Sequence, residues 1–423
     1  MSPTAWLLPL MLVGLDGPGV GQSAGPGLGA GLARGASARP APLSLGEARA
    51  RAVHGGPEVL LARQRENVSR AQIDTAAALP NPTFGVQTAS VTAKLTASLL
   101  QPLPLFGQRG TGIDAARADA EVARLDIAAV AVETRFGVTA AWLDLWATQE
   151  RARLLALAAG DAARVAEIAH DRFAAGSGPR LDEVRTTGER ARARAEADAA
   201  ALAVPAASAR LGVWIGDGDQ ARWQAEGTPA IGRLPDEAQA LQQLFERHPA
   251  LRRDRAQALA ATQHVRAEQR ARWPIVTAQL SVAADDPTTP GTDVIAGLSF
   301  EAPVLNLRGG PIARARAEQS LAELQGELEL RRLTAQLGDA YRQSEAAALR
   351  ARALANDVLP ALEEALRMTE GGYRDGRLDL LRVLDAQRAL LESRLAALEA
   401  QATWQRALAE LERAIGTPAG ETP

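Results

Sequence analysis

Residues 122–146 read VARLDIAAVAVETRFGVTAAWLDLW, and apolar side chains recur in them at alternating steps of three and four residues. The recurring positions are Val122, Leu125, Ala129, Val132, Phe136, Thr139, Leu143 and Trp146. This spacing is a heptad seam, the pattern by which long helices pack side by side. Helical patterning extends from about Gln108 to Phe173, which at 1.5 Å per residue is roughly 100 Å of helix. The fold is therefore predicted to be mainly α, built on very long helices.

The segments on either side of this helix have clear stop signals. A helical pattern from Leu45 to Ala78 ends before two prolines, and residues 83–91 and 94–101 are Thr-, Val- and Ser-rich and favour strands. After the long helix, the turn cluster at residues 175–179 precedes a helix over 181–211. Pro205 lies inside that last helix and is expected to kink it or end it early.

The second half of the chain shows the same order of elements. It comprises a helix over 236–272, strands over 275–282 and 293–301, a long helix over 311–373, a glycine turn, and a last helix to Ile415. The order helix, strand, strand, long helix, helix therefore occurs twice in tandem, which predicts an internal repeat.

Matched residues support the repeat. Phe173 and Gly176 precede Tyr373 and Gly376 by 200 positions. Pro104, Arg109 and Gly110, near the strand-to-helix junction at Gly107, match Pro303, Arg308 and Gly309 at 199. The predicted organisation is a leader and Gly-Pro-Ala-rich linker (1–42), a first repeat (43–211), a connecting segment (212–235), a second repeat (236–416) and a tail (417–423).

Neither repeat can bury its own apolar surface. A helix of this length needs neighbours along its whole seam. Four strands cannot close a barrel, because the smallest membrane barrels have about eight. Three chains would supply twelve strands and would remove the open edges, so a homotrimer is predicted.

Composition excludes several classes of function. The net charge is −3 with both signs interspersed, and Lys94 is the only lysine, so no basic surface for nucleic acid is indicated. There are no cysteines, which excludes disulfides, thiolate metal sites and cysteine nucleophiles. At the amino terminus, the apolar run Leu7 to Leu15 suits a signal-peptide core, but no basic residue precedes it, which leaves a disordered leader as the alternative.

No catalytic or metal site is predicted. The histidines at 54, 170, 248 and 264 lack neighbours at ligand spacing, and no base is arranged beside Ser69 or Ser177 for nucleophilic catalysis. The Asp285–Asp286 pair is followed by turn residues and indicates an exposed hairpin loop. The chain is therefore predicted not to be an enzyme and to need no cofactor.

The order of elements and the motifs together resemble the TolC-like outer membrane factor family over residues 43–417. The motifs are ALPNP at 78–82, PLPLFGQRG at 102–110, PVLNLRGG at 303–310, and the tip sequences RFxxG at 172–176 and GYxxG at 372–376. The two junction motifs look most like the branch that serves heavy-metal efflux pumps.

This resemblance implies a trimer in the outer membrane of a Gram-negative bacterium. Its small transmembrane β part would be a twelve-stranded barrel, continued by an α-helical barrel across the periplasm, with residues 212–235 as an equatorial belt. The chain would act as a passive exit duct, in contact with outer-membrane lipid, for substrates delivered by an inner-membrane pump through a periplasmic adaptor. Metal selection would then occur upstream of the duct.

The resemblance also assigns roles at the periplasmic tip, where the two interhelical turns would lie. Adaptor docking would involve Arg172, Phe173, Gly176, Leu181, Val184, Tyr373, Gly376, Leu378 and Leu381. The gate or constriction would involve Tyr373, Arg382 and Asp385, with Asp385 forming an acidic ring that favours cations. The family's best-known member has an arginine where Leu378 stands and an acid where Arg382 stands. An ordinary solvated helix charge is the alternative reading of Asp385.

Two other functions remain open at this level. The same channel could serve drug efflux or protein secretion. A soluble periplasmic coiled-coil scaffold or adaptor without a membrane barrel is the alternative outside transport, although one helical hairpin rather than two would be typical of an adaptor.

Overall fold

The computed structural model describes residues 40–89, 94–217, 223–229, 232, 234–284, 291–301 and 306–416. The predicted leader and linker lie outside these residues, apart from residues 40–42. The predicted tail, residues 417–423, also lies outside them. Pro303 and the Asp285–Asp286 loop also lie outside the described residues.

The described chain is mostly helical. The first half contains β1 (Ala41–Ser44), α1 (Leu45–Gly55), α2 (Pro57–Ala77), β2 (Thr83–Ala89), β3 (Lys94–Leu103), α3 (Gln108–Ala174) and α4 (Arg180–Ile215). The second half contains β4 (Trp223–Glu226), α5 (Glu237–Arg247), α6 (Pro249–Arg270), β5 (Val276–Ala284), β6 (Asp293–Phe300), α7 (Gly309–Ala353), a π-helical segment (Leu354–Val358), α8 (Leu359–Arg374) and α9 (Leu380–Ile415).

Two helices predicted as continuous are each split in two. The helix over 45–78 breaks at Gly56 before Pro57, and the helix over 236–272 breaks at His248 before Pro249. Proline disfavours helical backbone in the residue before it but is suited to the first position of a helix. Each proline therefore ends one helix and begins the next.

Two further prolines, Pro205 and Pro360, lie inside helical segments without ending them. α4 continues through Pro205 to Ile215, so Pro205 does not end it early. The long second helix is interrupted just before Pro360 by the π-helical segment, where the amide of Leu359 donates to the carbonyl of Leu354. Proline has no N–H for the regular helical bond, and a π turn is one way to absorb that local defect. Among the described residues, no helix combines the length and apolar character needed to cross a bilayer.

The helices form a layer around α3. α3 contacts α2, α4, α6 and α9, and α7 contacts α6 and α9. At mid-length, the end of α4 meets the start of α2, since a Cβ on Gly216 would lie 3.3 Å from the carbonyl oxygen of Gly55. The end of α9 meets the start of α6 in the same way, through Gly416 and Pro249. Shorter helices thus join end to end beside the long ones.

The predicted seam of α3 is confirmed: each of its members is buried or half-buried. Around its middle packs a small belt, which we define as β1, α1 and β4. β1 and β4 pair in parallel, from Ala41 opposite Trp223 to Ser44 opposite Glu226. The indole of Trp142 donates to the carbonyl of Leu43 at 2.8 Å, which fastens the belt to α3. The sequence predicts only a connecting segment over 212–235 and gives no sign of this strand pair.

The four remaining strands form one antiparallel sheet in the order β2-β3-β5-β6. Paired residues of neighbouring strands point to the same face of a sheet. The register therefore assigns one face to Phe84, Val86, Leu95, Leu99, Leu280, Val282, Val294 and Leu298. The other face carries Gln87, Thr96, Ser98, Gln279, Ser281 and Ser299, with Leu100 and Ile295 as apolar exceptions. The sheet is thus apolar on one side and largely polar on the other.

Candidate functional site

The two interhelical turns have the same hydrogen-bond pattern. In the first turn, the amides of Gly176 and Ser177 donate to the carbonyls of Phe173 and Arg172 at 2.9 and 2.8 Å. In the second turn, Gly376 and Arg377 repeat this pattern at 3.0 and 2.8 Å. This is a Schellman cap, which requires a left-handed residue after the helix end. Gly176 and Gly376 supply this residue, with φ values of 70° and 74°.

Tyr373 lies at the centre of the contacts between the turns. Its side chain is 2% exposed and packs with Val165, Leu380, Val383 and Leu384. Its hydroxyl donates to a carboxylate oxygen of Asp182 at 3.3 Å. Tyr373 is therefore buried in this chain, and its predicted roles in adaptor docking and in the constriction both stay predictions.

Arg172 contacts both turns at once. Its guanidinium donates to the carbonyl of Tyr373 at 2.9 Å and to the carbonyl of Ser177 at 3.3 Å. The guanidinium carbon also lies 4.7 Å from the centre of the Tyr373 ring, a cation–π contact. The first hairpin (α3 and α4) and the second (α8 and α9) are therefore joined by charged and polar contacts at the turns.

The surroundings of Tyr373 favour the protonated phenol. Burial raises the pKa of Tyr373 above its ordinary value of 10.0, and the negative charge of Asp182 raises it further, against the lowering effect of Arg172. The phenol of Tyr373 therefore remains a hydrogen-bond donor to Asp182 at neutral pH.

Close by, a hydrogen bond to Glu183 raises the pKa of His170, whose Nδ1 lies 2.8 Å from that carboxylate.

The other residues predicted at the tip occupy its surface. Leu181, Val184 and Leu381 are 66%, 60% and 48% exposed. Leu378 is half-buried, because its side chain packs onto Gly372: a Cβ there would lie 2.6 Å from Leu378 Cδ1. Phe173 is also half-buried. The exposed three remain available for docking, which stays a prediction.

Two of the three predicted constriction residues lie on the first turns of α9. Arg382 and Asp385 are both exposed and, three positions apart, lie on one side of the helix. The amide of Arg382 donates to Asp379, which caps the helix, at 3.1 Å. Within the described residues, neither side chain forms a hydrogen bond or an ion pair with Tyr373 or Asp182, and their role as a ring stays a prediction.

The strand-to-helix junctions correspond differently from the predicted match. Gly107 precedes α3 with φ 86°, and Arg308 precedes α7 with φ 55°. Backbone conformation thus pairs Arg308 with Gly107, whereas sequence similarity pairs it with Arg109. Arg109 instead donates to the carbonyl of Ala77 at 2.7 Å. Gly110 and Gly309 lie in the first turn of their helices, and Pro104 lies between β3 and α3.

Two of the four histidines do pair with carboxylates, although not with close sequence neighbours. These are His170 with Glu183 and His264 with Asp119, the latter at 3.0 Å across 145 positions. Among the described residues, no group of three or more His, Cys, Asp or Glu side chains could hold a metal ion.

A groove of about 990 Å³ lies along α3 on the side opposite the belt. Gly137, Ala140 and Asp144 of α3 line this groove. Val138, Trp142 and Leu145 of α3 belong to the core cluster that packs with the belt. At 3.6 residues per turn, the two sets lie on roughly opposite sides of the helix. Charged side chains of both signs line it, including Glu133, Asp144, Arg210, Glu329, Arg406 and Arg413. Several are paired, as Arg210 is with Asp144 at 2.6 Å.

Comparisons with known proteins agree with this architecture. The chain is 28% identical over 380 residues to the cobalt-zinc-cadmium resistance protein CzcC of Cupriavidus metallidurans, covering 89% of this chain and 90% of that protein. It is 27% identical over 339 residues to the pyoverdine export outer membrane protein OpmQ of Pseudomonas aeruginosa, covering 77% and 70%. The solved structure of CusC has the same fold, with a TM-score of 0.73 at 16% identity over 88% of this chain and 92% of that one.

A sequence profile of one family covers nearly all of the described chain. The profile is described as "Outer membrane efflux protein" and matches residues 49–217 and 240–417, the two segments that carry the strand pairs and the helical hairpins. The chain therefore belongs to the outer membrane efflux protein family.

Proposed function

We propose that three copies of this chain form a continuous duct through the outer membrane and across the periplasm. The observation that carries the proposal is the sheet β2-β3-β5-β6, with one apolar and one polar face and with β2 and β6 as its edges. Joining the β6 edge of one copy to the β2 edge of the next would close twelve strands into a barrel. The apolar face would then contact lipid, and the polar face would line the pore.

The helical layer has matching free edges. α2 and α4 lie on one side of α3, and α7 lies on the other side of α6 and α9. Leu321, Leu324 and Leu328 follow helical spacing on α7 and are 54%, 51% and 52% exposed. Burying the stripe against the α2 edge of a neighbour would stabilise the trimer, since covering the exposed half of each leucine contributes about 1 kcal/mol. Both edges would thus close in the same head-to-tail direction as the strands.

The position of the belt gives the helical tunnel an inside and an outside. The belt packs on one face of α3, and the charged groove lies on the opposite face. We assign the belt to the outer surface and the groove to the tunnel wall. A wall with both signs of charge would be well hydrated and would hold neither anions nor cations strongly, which suits a duct that must release its cargo.

The tip would act as the gate. The bonds from Tyr373 to Asp182 and from Arg172 to Tyr373 join the two hairpins, and this joined form is the closed one in our proposal. Opening would separate the hairpins when an adaptor binds at the exposed Leu181, Val184 and Leu381. Asp385, on the first turns of α9, would line the entrance. The chain itself supplies no energy, which would come from an inner-membrane pump.

For the cargo, we propose divalent heavy-metal ions. The support is the full-length similarity to a protein named for cobalt, zinc and cadmium resistance, together with the junction motifs of the heavy-metal branch. Siderophore export is the second candidate, because the other relative is named for pyoverdine export. The soluble scaffold considered from the sequence is not favoured, since the chain belongs to an outer-membrane family.

The mass of the detergent-extracted protein tests the architecture. Light scattering on protein from the outer-membrane fraction should give a trimer of a 44.4 kDa chain, elongated in negative-stain images. A monomer or dimer that leaves the membrane fraction without detergent would contradict the duct and favour the scaffold.

Cellular metal content tests the cargo. A host strain lacking its own channel, but carrying a cognate pump and adaptor, should accumulate less zinc, cobalt and cadmium when this chain is expressed. Unchanged metal content with restored siderophore export would transfer the assignment to the second candidate.

A further inference from the structure

We propose that Arg172 is the positioning residue of the closed tip: it holds Tyr373 where the phenol can reach Asp182. The inference rests on the gate proposed above and assigns Arg172 an internal role in place of the docking role predicted from sequence. It starts from the fact that a single guanidinium contacts the first turn through Ser177 and the second turn through Tyr373.

The anchoring of Arg172 makes it a suitable support. Its own carbonyl accepts hydrogen bonds from the amide of Ser177 at 2.8 Å and from the Ser177 hydroxyl at 3.1 Å, which fixes the backbone of Arg172 in the first Schellman cap. Its side chain is half-buried between the turns. A rigid first turn therefore projects the guanidinium onto the second turn.

The target of the guanidinium is both the backbone and the ring of Tyr373. The carbonyl of Tyr373 already accepts from Gly376 within the second cap, and Arg172 supplies its second donor at 2.9 Å. The guanidinium carbon also lies over one side of the aromatic ring, 4.7 Å from its centre. Fixing both the main chain and the ring sets the position of the hydroxyl oxygen, which lies 3.3 Å from the Asp182 carboxylate.

This set of contacts requires arginine. Two carbonyls and a ring are served by two separate NH₂ groups and a flat cation, which only a guanidinium offers. A lysine would keep the charge but could place one ammonium group against only part of the set. Within the described residues, no carboxylate lies within 4.0 Å of the Arg172 guanidinium. Its positive charge therefore interacts with these two carbonyls and the ring and forms no ion pair there.

Two measurements on the full-length protein test the proposal. The first is the conductance of the resting channel in planar lipid bilayers. Arg172→Lys should raise the open population about tenfold, as expected for loss of a charge-assisted hydrogen bond. In a Tyr373→Phe background the same substitution should add less than about twofold, because residues that act through one contact are not additive. Arg164→Lys, an exposed arginine of the same helix, is the control.

The second measurement does not depend on a working channel. The chain has no cysteine, so nitroxide labels can be attached uniquely at Ala175→Cys and Arg374→Cys, one in each turn region. Labelled chains are diluted into unlabelled ones, so that only distances within one chain are read by pulsed electron paramagnetic resonance. Arg172→Lys should broaden this distance distribution, and Arg164→Lys should not.

The outcomes separate the two proposals. If Tyr373→Phe opens the channel but Arg172→Lys changes neither conductance nor the distance distribution, the positioning role is refuted and the gate stands. If the distribution broadens with Arg172→Lys but no variant conducts differently from the wild type, Arg172 still joins the turns and the proposed gate is refuted. Equal effects of Arg172→Lys in the wild-type and Tyr373→Phe backgrounds would also contradict action through Tyr373.

Discussion

The hydroxyl of Tyr373 lies 3.3 Å from the carboxylate of Asp182, although 191 positions separate the two residues in the chain. This contact connects the second interhelical turn to the first turn of α4. Because the tyrosine is buried and the aspartate is half-buried, water competes only partly for the bond. The contact therefore joins a side chain of the second hairpin to a side chain of the first at the tip.

We expect Tyr373→Phe and Asp182→Asn to increase the resting conductance to a similar degree. Each variant removes or weakens the same hydrogen bond while nearly keeping the size of the side chain. The double variant should exceed neither single variant by much, because both act on one contact. Single-channel recording in lipid bilayers measures the effect.

Tyr341→Phe is the matched control, since Tyr341 is the only other tyrosine and lies on α7. Unchanged conductance in both Tyr373→Phe and Asp182→Asn would show that this bond does not close the tip.

Adjacent glycines of α8 should respond oppositely to alanine. A Cβ on Gly372 would lie 2.6 Å from Cδ1 and 2.8 Å from Cγ of Leu378, whereas a Cβ on Gly371 meets nothing within 4 Å. Gly372→Ala should destabilise the second turn by about 1–3 kcal/mol through overpacking. Gly371→Ala should stabilise the helix by up to about 1 kcal/mol, because alanine is the better helix former.

Hydrogen exchange of the amides in residues 372–384 measures this difference. Equal exchange in the two variants would mean that Leu378 yields freely and that its contact with Gly372 does not hold the turn.

His248 should make the fold less stable in acid. Its Nδ1 accepts from the amide of Ala250 and its Nε2 donates to the carbonyl of Arg413, each at 3.2 Å, an arrangement that only the neutral ring allows. Burial lowers its pKa below 6.5, against the opposing effects of the Arg413 carbonyl, Glu329, Glu133 and Asp254. The unfolded chain therefore takes up a proton first as the pH falls, and stability is lost below about pH 6.5.

Thermal unfolding at pH 7 and pH 5 reveals this loss. His248→Asn offers an oxygen and an amide group in place of the two ring nitrogens but does not titrate, so its midpoint should change less between the two pH values. A pH dependence as steep as that of the wild type would exclude His248 as its source.

His264 should act with the opposite sign. Its hydrogen bond to Asp119 raises its pKa above 6.5, with further support from the charges of Glu318 and Glu268. The native state then holds the proton more tightly than the unfolded chain. The stabilisation is fully present below pH 6.5 and is lost as the pH rises through the raised native pKa.

His264→Gln should consequently lower the unfolding midpoint at pH 5 more than at pH 8. The same loss at both pH values would indicate that His264 contributes through packing alone. About half of the His264 side chain is exposed, so we expect a modest effect.

A charge on the α7 stripe should weaken the trimer. Leu324→Glu would place a carboxylate in the proposed contact between chains, where an unpaired charge is costly. Leu259→Glu is the control, because Leu259 is equally apolar and 65% exposed but lies on α6, whose neighbours α3 and α7 belong to the same chain.

Light scattering in detergent should give a smaller mass at low concentration for Leu324→Glu, and a trimer for Leu259→Glu. A stable trimer for both variants would remove the stripe from the contact between chains.

The sequence predicted the long helices well because their signals are local. The seam from Val122 to Trp146 has a period that only packed helices need, and Gly176 and Gly376 lie where helix stops demand a left-handed residue. The strand bounds also agree to within a few residues, apart from residues 90–93, which lie outside the described part.

What the sequence could not provide are contacts between distant segments. Asp182 reads as an ordinary first-turn acid of α4, and only the packing of the hairpins brings it to Tyr373. β1 and β4 are each four residues long, and 182 positions separate the paired Leu43 and Ala225, so no local pattern links them. His264 and Asp119 were missed for the same reason.

The end-to-end meeting of α9 and α6 has an electrical consequence. A helix carries a partial negative charge at its carboxyl end and a partial positive charge at its amino end. Here the amide of Ala250 donates to the imidazole of His248, and the imidazole donates in turn to the carbonyl of Arg413. The ring thus connects the carboxyl end of α9 to the amino end of α6 by two hydrogen bonds that point in the same direction.

Two macrodipoles connected in series neutralise their facing ends, so neither end calls for a charged cap where the two helices join. Electrically, α9 and α6 behave as one long helix, although along the chain α6 follows α5 and not α9. The partial charges that remain lie at the far ends of the joined pair, where α9 begins beside the tip and α6 ends beside the strands.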